Sequence, residues 1–260
     1  LSIWTGPDVT WSTTREGYRT MLDYCLSENV RYAMHIDETE VDHAMCRERY
    51  GHDIVPMLDD MGFLTDKMLG VHCANLTDDE IRRFADHGVS ISYNPVSNMY
   101  LGSGAAPIRE CLDAGVNVSV GTDGAASNNT TNYLESIKFA ALIQKGFSRD
   151  AARITAEQTV AMATNGGAKT IGMEDRLGSI EVGKRADLVL FEPRHLTSIP
   201  MHDPYATLVY SATPENIAAT IVNGNVVYRN GSFACGIDER DLASSIETEL
   251  DKLRRQLADN

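Results

Sequence analysis

Basic residues are in short supply. The 260 residues hold 23 Lys and Arg against 37 Asp and Glu, a formal charge of −14. That shortage argues against a nucleic-acid partner, which calls for a basic face to neutralise phosphates. Cysteine is scarce too: five thiols, an odd number, with no CxxC spacing. A disulfide framework is not expected, and a reducing, cytoplasmic setting is. No apolar run reaches the roughly 18 residues of a membrane-spanning helix, so no membrane partner is expected. The glycine frames that cradle phosphates are missing; Gly102-Ser103-Gly104 fits neither GxGxxG nor GxxxxGK[ST]. Low-complexity stretches and Gly/Ser linkers are absent as well. Apolar residues at 43% and charged residues at 23% suit an ordinary folded domain.

What is present is an alternation of short apolar runs and amphipathic helices through residue 170. Strand-like runs fall at 2–4, 30–36, 69–73, 89–93 and 116–120. Between them lie helices over 13–28, 42–50, 54–61, a stretch opened by Thr77 and Glu80, and a stretch around Ile108 and Cys111. Helices over 133–144 and 155–171 follow. Thr13 with Glu16, and Thr77 with Glu80, have capping-box spacing. Strands alternating with helices of this length imply parallel βαβ units, hence an α/β fold. The tail reads differently. Short strand runs at 179–180, 186–191, 218–222 and 225–228 are punctuated by Gly and Pro, and a helix over 238–257 closes the chain.

Polar residues gather just after the strand runs: His35 and Glu38, then His72, then Asn94, Ser97 and Asn98, then Thr122, Asp123, Ser127 and Asn128. Parallel strands bring their C-terminal ends to one face, where α/β enzymes place their chemistry. His and Asp supply the imidazole nitrogen and carboxylate oxygen that bind zinc or iron. Each residue alone has a plain structural reading: a hydrogen-bonded His, a capping Asp, a solvated Glu. Their recurrence at successive strand ends points to a site. His43 and His52 read as surface residues, His195 and His202 lack acidic partners, and Cys73 reads as a buried strand residue.

These motifs resemble the amidohydrolase superfamily, in its branch of metal-dependent aminohydrolases. That branch includes methylthioadenosine/S-adenosylhomocysteine deaminases, guanine and cytosine deaminases, and s-triazine hydrolases. His35-Ile36-Asp37-Glu38 is similar to the family's His-x-x-Glu after barrel strand five, and Val71-His72-Cys73 to its strand-six His. The stretch from Pro95 to Gly104 resembles the strand-seven loop, and Gly121-Thr122-Asp123-Gly124 the strand-eight Asp motif. The stretch from Gly178 to Val189 is similar to the exit from barrel to β-sandwich. The resemblance implies the C-terminal portion of a (β/α)8 TIM-type barrel plus part of a small β-sandwich. Residues 1–176 would hold strands four to eight with their helices, 177–235 the partial sandwich, and 236–260 a terminal helix.

By the same resemblance, His35 and Asp123 bind one divalent metal, zinc ahead of iron. Asp123 takes a proton from the attacking water. His72 polarises that water or holds developing negative charge. Glu38 carries a proton to a ring nitrogen and then to the leaving amine. Trp11, Asn98 and Ser127 face a small heterocyclic substrate. The implied reaction is hydrolytic deamination of a purine-, pyrimidine-, pterin- or triazine-type ring, by an enzyme that, like its relatives, forms homo-oligomers.

Two departures qualify this. The family's His-x-His after strand one occurs nowhere in the chain. Thr5-Gly6-Pro7-Asp8-Val9-Thr10-Trp11 stands where adenosine-type deaminases show His-x-Pro-Tyr. The first departure, with an opening Leu1-Ser2-Ile3-Trp4 that lacks Met, leads to the expectation of the back portion of a longer enzyme. The second points toward another aromatic amine or a triazine. Alternatives are a hydrolase expelling halide or alkylamine, a non-catalytic fragment, and a five-stranded binding module.

Overall fold

The computed structural model describes residues 4–258. It divides into two units, Leu1–Lys184 with Pro200–Pro214, and Arg185–Ile199 with Glu215–Asn260.

In the first unit strands and helices alternate: α1 (Arg15–Ser27), β1 (Tyr32–Ile36), α2 (Glu40–Tyr50), α3 (Ile54–Asp60), β2 (Met68–His72) and α4 (Asp78–His87). β3 (Ser90–Tyr93), α5 (Pro95–Leu101), α6 (Ile108–Asp113), β4 (Asn117–Val120), α7 (Ala125–Asn128) and α8 (Tyr133–Ser148) follow. The unit ends with α9 (Ala156–Ala161), α10 (Gly167–Thr170) and α11 (Pro204–Ala206). The four strands pair in chain order and all run parallel. Ile36 lies opposite His72, Val71 opposite Ser92, and Tyr93 opposite Val120. Their C-terminal ends therefore share one rim.

Of the strand expected at 2–4, residues 2 and 3 lie outside the described residues, and Trp4 is not in a strand. Thr5 instead makes a single parallel bridge to Tyr32. The Ala33 amide donates to its carbonyl at 2.9 Å. Gly6 then lies flush on β1: a Cβ there would stand 1.6 Å from the Ala33 carbonyl oxygen. Only glycine permits that approach.

On β1 Tyr32, Met34 and Ile36 are buried, while Ala33 and His35 are half-buried. The buried row meets the core, where the rings of Tyr32 and Phe63, and of Tyr18 and Phe63, pack edge to face at 5.0 and 5.3 Å. Such pairs add about 0.5–1.5 kcal/mol beyond burial. The Tyr32 hydroxyl donates to the Phe63 carbonyl at 2.6 Å, which satisfies its polar end.

Local details correct the sequence reading. Thr14, not Thr13, caps α1, accepting from the Gly17 amide at 3.0 Å. α2 starts earlier than expected, because the Asp42 carboxylate accepts from the Thr39 amide at 2.9 Å and closes the first turn there. The Thr77–Glu80 box forms as expected. Residues 95–101, read as a loop, form α5. Pro95 sits in its first turn, where a missing N–H costs nothing, and Gly102 ends it in the left-handed region. The helix expected over 155–171 is interrupted by a π-helical turn, Met162–Gly166. There Gly166 lies against β4, with space for a Cβ only 2.1 Å from the Val118 carbonyl oxygen.

The second unit carries an antiparallel sheet of β5 (Leu188–Phe191), β6 (Ile217–Val222), β7 (Asn225–Arg229) and β8 (Ser232–Phe233), in that order. Asn223-Gly224 and Asn230-Gly231 join its hairpins with positive φ at both residues of each pair, as primed two-residue turns require. The strand expected at 179–180 does not form. The final helix, α12 (Glu239–Ala258), is exposed throughout. The five cysteines are free, four of them buried. Among the described residues no helix is long and apolar enough to cross a membrane.

Candidate functional site

The rim of the parallel sheet is built from kinked backbone. Asp37, His72, Cys73 and Asp123 all have positive φ, between 43° and 69°. For residues with a Cβ, each such conformation costs about 1–3 kcal/mol and persists only where surroundings enforce it. The kinks end the strands and turn polar side chains onto the rim.

His35 and His72 stack there, ring centroids 5.1 Å apart and planes at 18°. Each is fixed through Nδ1. His35 Nδ1 donates to the Asp8 carbonyl. His72 Nδ1 donates to Asn98 Oδ1 at 2.8 Å, with both residues buried. His72 Nε2 faces Glu38, whose Oε2 is 3.7 Å away. The other Glu38 oxygen accepts from the Ser103 hydroxyl at 3.2 Å. The Asn75 amide donates to the Glu38 carbonyl at 2.9 Å and to the Asp37 and Ser103 carbonyls at 3.3 Å. Glu38 thus rests on a cross-braced pair of loops.

Asp123 forms the other half. Its Oδ2 accepts from Ser97 at 2.6 Å and from Ser127 at 2.7 Å. Burial acts to raise its pKa, but the two hydroxyls, the Gly124 amide and the nearby His72 outweigh it. The carboxyl is held below the usual range and stays ionised. Ser97 and Asn98 are neighbours on α5, so one helix orients both Asp123 and His72.

Of the residues expected at the site, His35, Glu38, His72 and Asn98 come together directly. Asp123 and Ser127 pair beside them. Trp11 is engaged elsewhere: half-buried against the core, it donates its indole N–H to Asp42 at 3.3 Å. Sequence reasoning assigned no role to Asp8, Asn75, Ser97 and Ser103. Ser97 was visible as a polar residue beside Asn98, whereas Ser103 and Asn75 act across loop closures that leave no local trace. Cys73 is buried, and burial pushes its thiol well above the ordinary range, which agrees with a structural role. His43 corrects the surface reading. It packs between Asp37 and Asp53, with only 17% of its side chain exposed.

The donor chemistry suits a divalent metal in part. His35 is oriented by a backbone carbonyl, the usual support for a ligating imidazole. Asp123 gathers both hydroxyls on one oxygen. Two donors fall short of the usual three protein ligands of a catalytic zinc. Among the described residues, the group of three His, Cys, Asp or Glu donors that lies within 4.8 Å is a different one, Asp37, His43 and Glu80.

Comparison with known proteins gives this geometry a family. The model of the amidohydrolase family matches residues 1–227, and the chain belongs to that family. It is 37% identical over 233 residues to an S-triazine hydrolase from Gordonia rubripertincta, covering 88% of this chain and 47% of that protein. It is 39% identical over 220 residues to a 5-methylthioadenosine/S-adenosylhomocysteine deaminase from Desulforudis audaxviator, covering 85% of this chain and 51% of that one. A crystal structure of an adenosine deaminase from Xanthomonas campestris with bound zinc superimposes with a TM-score of 0.93 at 30% identity, over 96% of this chain and 57% of that one. The chain spans about half the length of the curated relatives it matches.

Proposed function

We propose that this chain carries part of the active site of a metal-dependent hydrolase that removes the amino group from an amino-substituted aromatic heterocycle and releases ammonia. The observation that carries the reading is the His72 triad of contacts: Nδ1 anchored on Asn98, Nε2 turned toward Glu38, and the ring stacked on His35. In this reading His35 and Asp123 hold one divalent ion, zinc ahead of iron. Such an ion, when bound, supplies Lewis acidity and brings water toward ionisation near neutral pH.

The chain's own residues do the rest. An amino-bearing ring carbon is a poor electrophile until the adjacent nitrogen is protonated, and an amide anion is a very poor leaving group. Glu38 serves both needs, giving its proton to the ring nitrogen and then relaying the proton of the newly attached hydroxyl to the departing amine as the carbonyl forms. Ser103 and Asn75 hold it in place meanwhile. Asp123, kept ionised by Ser97 and Ser127, accepts the proton of the attacking water. His72 bears on the negative charge that develops. Asn98 and Ser127, expected on the substrate, act here through His72 and Asp123. Trp11, tied to Asp42 through its indole N–H and half-buried, is read as presenting its remaining ring face to the heterocycle.

The parallel sheet is read as strands of a TIM-type barrel, with boundaries near residues 176 and 235 and a homo-oligomeric whole. The high TM-score with a zinc-bound deaminase supports the barrel part of that reading. To test the activity, the full-length protein with added zinc is incubated with aminopurines, aminopyrimidines, aminopterins and aminotriazines, and ammonia is measured. Release from at least one ring is expected, and silence across all of them overturns the proposal. Similarity to an S-triazine hydrolase favours a second reading, loss of halide or alkylamine from a triazine ring. Product analysis on substituted triazines separates the two.

A further inference from the structure

Below the rim, a second set of donors converges from three elements. Asp37 ends β1, His43 lies on α2, and Glu80 sits in the first turn of α4. Their ligand atoms lie within 4.8 Å of one another. Asp37 is fully buried, and neither of its carboxylate oxygens has a hydrogen-bond partner. A buried carboxylate left so is among the costliest features a fold can carry. A proton or a cation must answer it.

The imidazole is set up to do this as a ligand. With Nε2 donating to the Asn75 carbonyl at 3.4 Å, the neutral form of the His43 ring has its Nδ1 lone pair facing the carboxylates. Nδ1 is buried and has no hydrogen-bond partner. It stands 3.9 Å from Asp37 Oδ1 and 3.5 Å from Asp53 Oδ1. A proton on Nδ1 would serve Asp53 better than Asp37, and 3.9 Å is beyond hydrogen-bond reach. Asp53 is in any case paired with Arg47, at 2.7 Å from Nε. Two ligands bound at about 2.1 Å to one small ion stand about 3.4 Å apart on a tetrahedron and about 4.2 Å apart when opposite. The 3.9 Å between His43 Nδ1 and Asp37 Oδ1 falls in that range, and a Glu80 oxygen lies within 4.8 Å of both. Glu80 spends Oε2 on the Thr77 amide and hydroxyl, both at 2.8 Å, and has its second oxygen to offer.

We propose that Asp37, His43 and Glu80 form a second cation site, separate from His35 and Asp123, that takes one divalent ion of the zinc type. One nitrogen and two carboxylate oxygens suit such an ion, and two carboxylates beside a neutral imidazole match its charge. Its role is structural. It ties the end of β1 to α2 and α4, directly behind the Glu38 loop that Asn75 braces.

The test uses the full chain carrying His35→Ala and Asp123→Asn, so that the first pair of donors is gone and activity plays no part. Zinc titrated into it by calorimetry is expected to bind with one equivalent. Adding His43→Gln or Asp37→Asn is expected to weaken that binding by about 100-fold or more, since loss of a mere supporting partner of a ligand already costs about 10–100-fold. Cobalt-loaded protein should lose its visible d–d bands in the same variants. Circular dichroism confirms folding; should Asp37→Asn fail to fold, the less buried His43→Gln decides. No zinc bound, or zinc held equally well after His43→Gln, overturns the proposal.

Discussion

Asp37 and Asp123 invite comparison. Both follow the ends of parallel strands and both have left-handed backbone, though Asp37 is fully buried and Asp123 half-buried. Their surroundings are opposite. Asp123 receives two hydroxyls and is held ionised at a pKa below the usual range. Asp37 receives none, and burial together with the Glu80 carboxylate pushes its pKa up despite His43. The contrast teaches that a shared backbone device can present either a hydrogen-bonded, ionised carboxylate or a bare one. What decides is whether neighbouring helices supply donors: α5 and α7 do for Asp123, while α2 and α4 bring His43 and Glu80 to Asp37.

The largest expected effect comes from removing the chemistry on the Asp123 side. In the full-length protein, Asp123→Asn and Glu38→Gln are each expected to lower turnover by about 100-fold or more, read from steady-state ammonia release. A wild-type rate in either takes that residue out of the mechanism. Next is Asn98→Ala, which strands the buried His72 Nδ1–H. It should cost about 1–3 kcal/mol in urea unfolding and lower turnover with it. Ser97→Ala, at a buried hydroxyl bonded to a charge, should cost about 1–2 kcal/mol by the same measurement. Ser127→Ala removes an equally long bond to the same oxygen from a half-buried position, and should cost less than about 1 kcal/mol. If Ser97 and Ser127 prove equal, burial does not set the difference between the two sides.

Much of this was legible before any coordinates. The β-branched runs at 30–36, 69–73, 89–93 and 116–120 each carry a parallel strand, because short apolar runs between amphipathic helices have few other ways to be buried. The strand-end residues His35, Glu38, His72 and Asn98 meet because parallel strands end together. The Thr77–Glu80 box was readable as a cap, yet that reading hid the second use of Glu80. His43 looked like a surface residue because its burial depends on Asp37 and Asp53, which α2's own sequence does not reveal. α5 passed for a loop because Pro95 and a polar run mask a helix whose value lies in where Ser97 and Asn98 point. The π-helical turn at 162–166 answers to the close approach of Gly166 to β4, a tertiary demand with no local periodicity.

The flush seat of Gly6 on β1 has a consequence for anyone who would redesign this protein. The segment from Thr5 to Asp8 runs so close to β1 that position 6 has no room for a Cβ, and its far end holds His35 by a carbonyl. A library that randomises this stretch to alter ring preference would discard nearly every member carrying a side chain at position 6, whatever the merit of its other changes. Diversity belongs at Trp11, five residues on, where the chain has left the sheet.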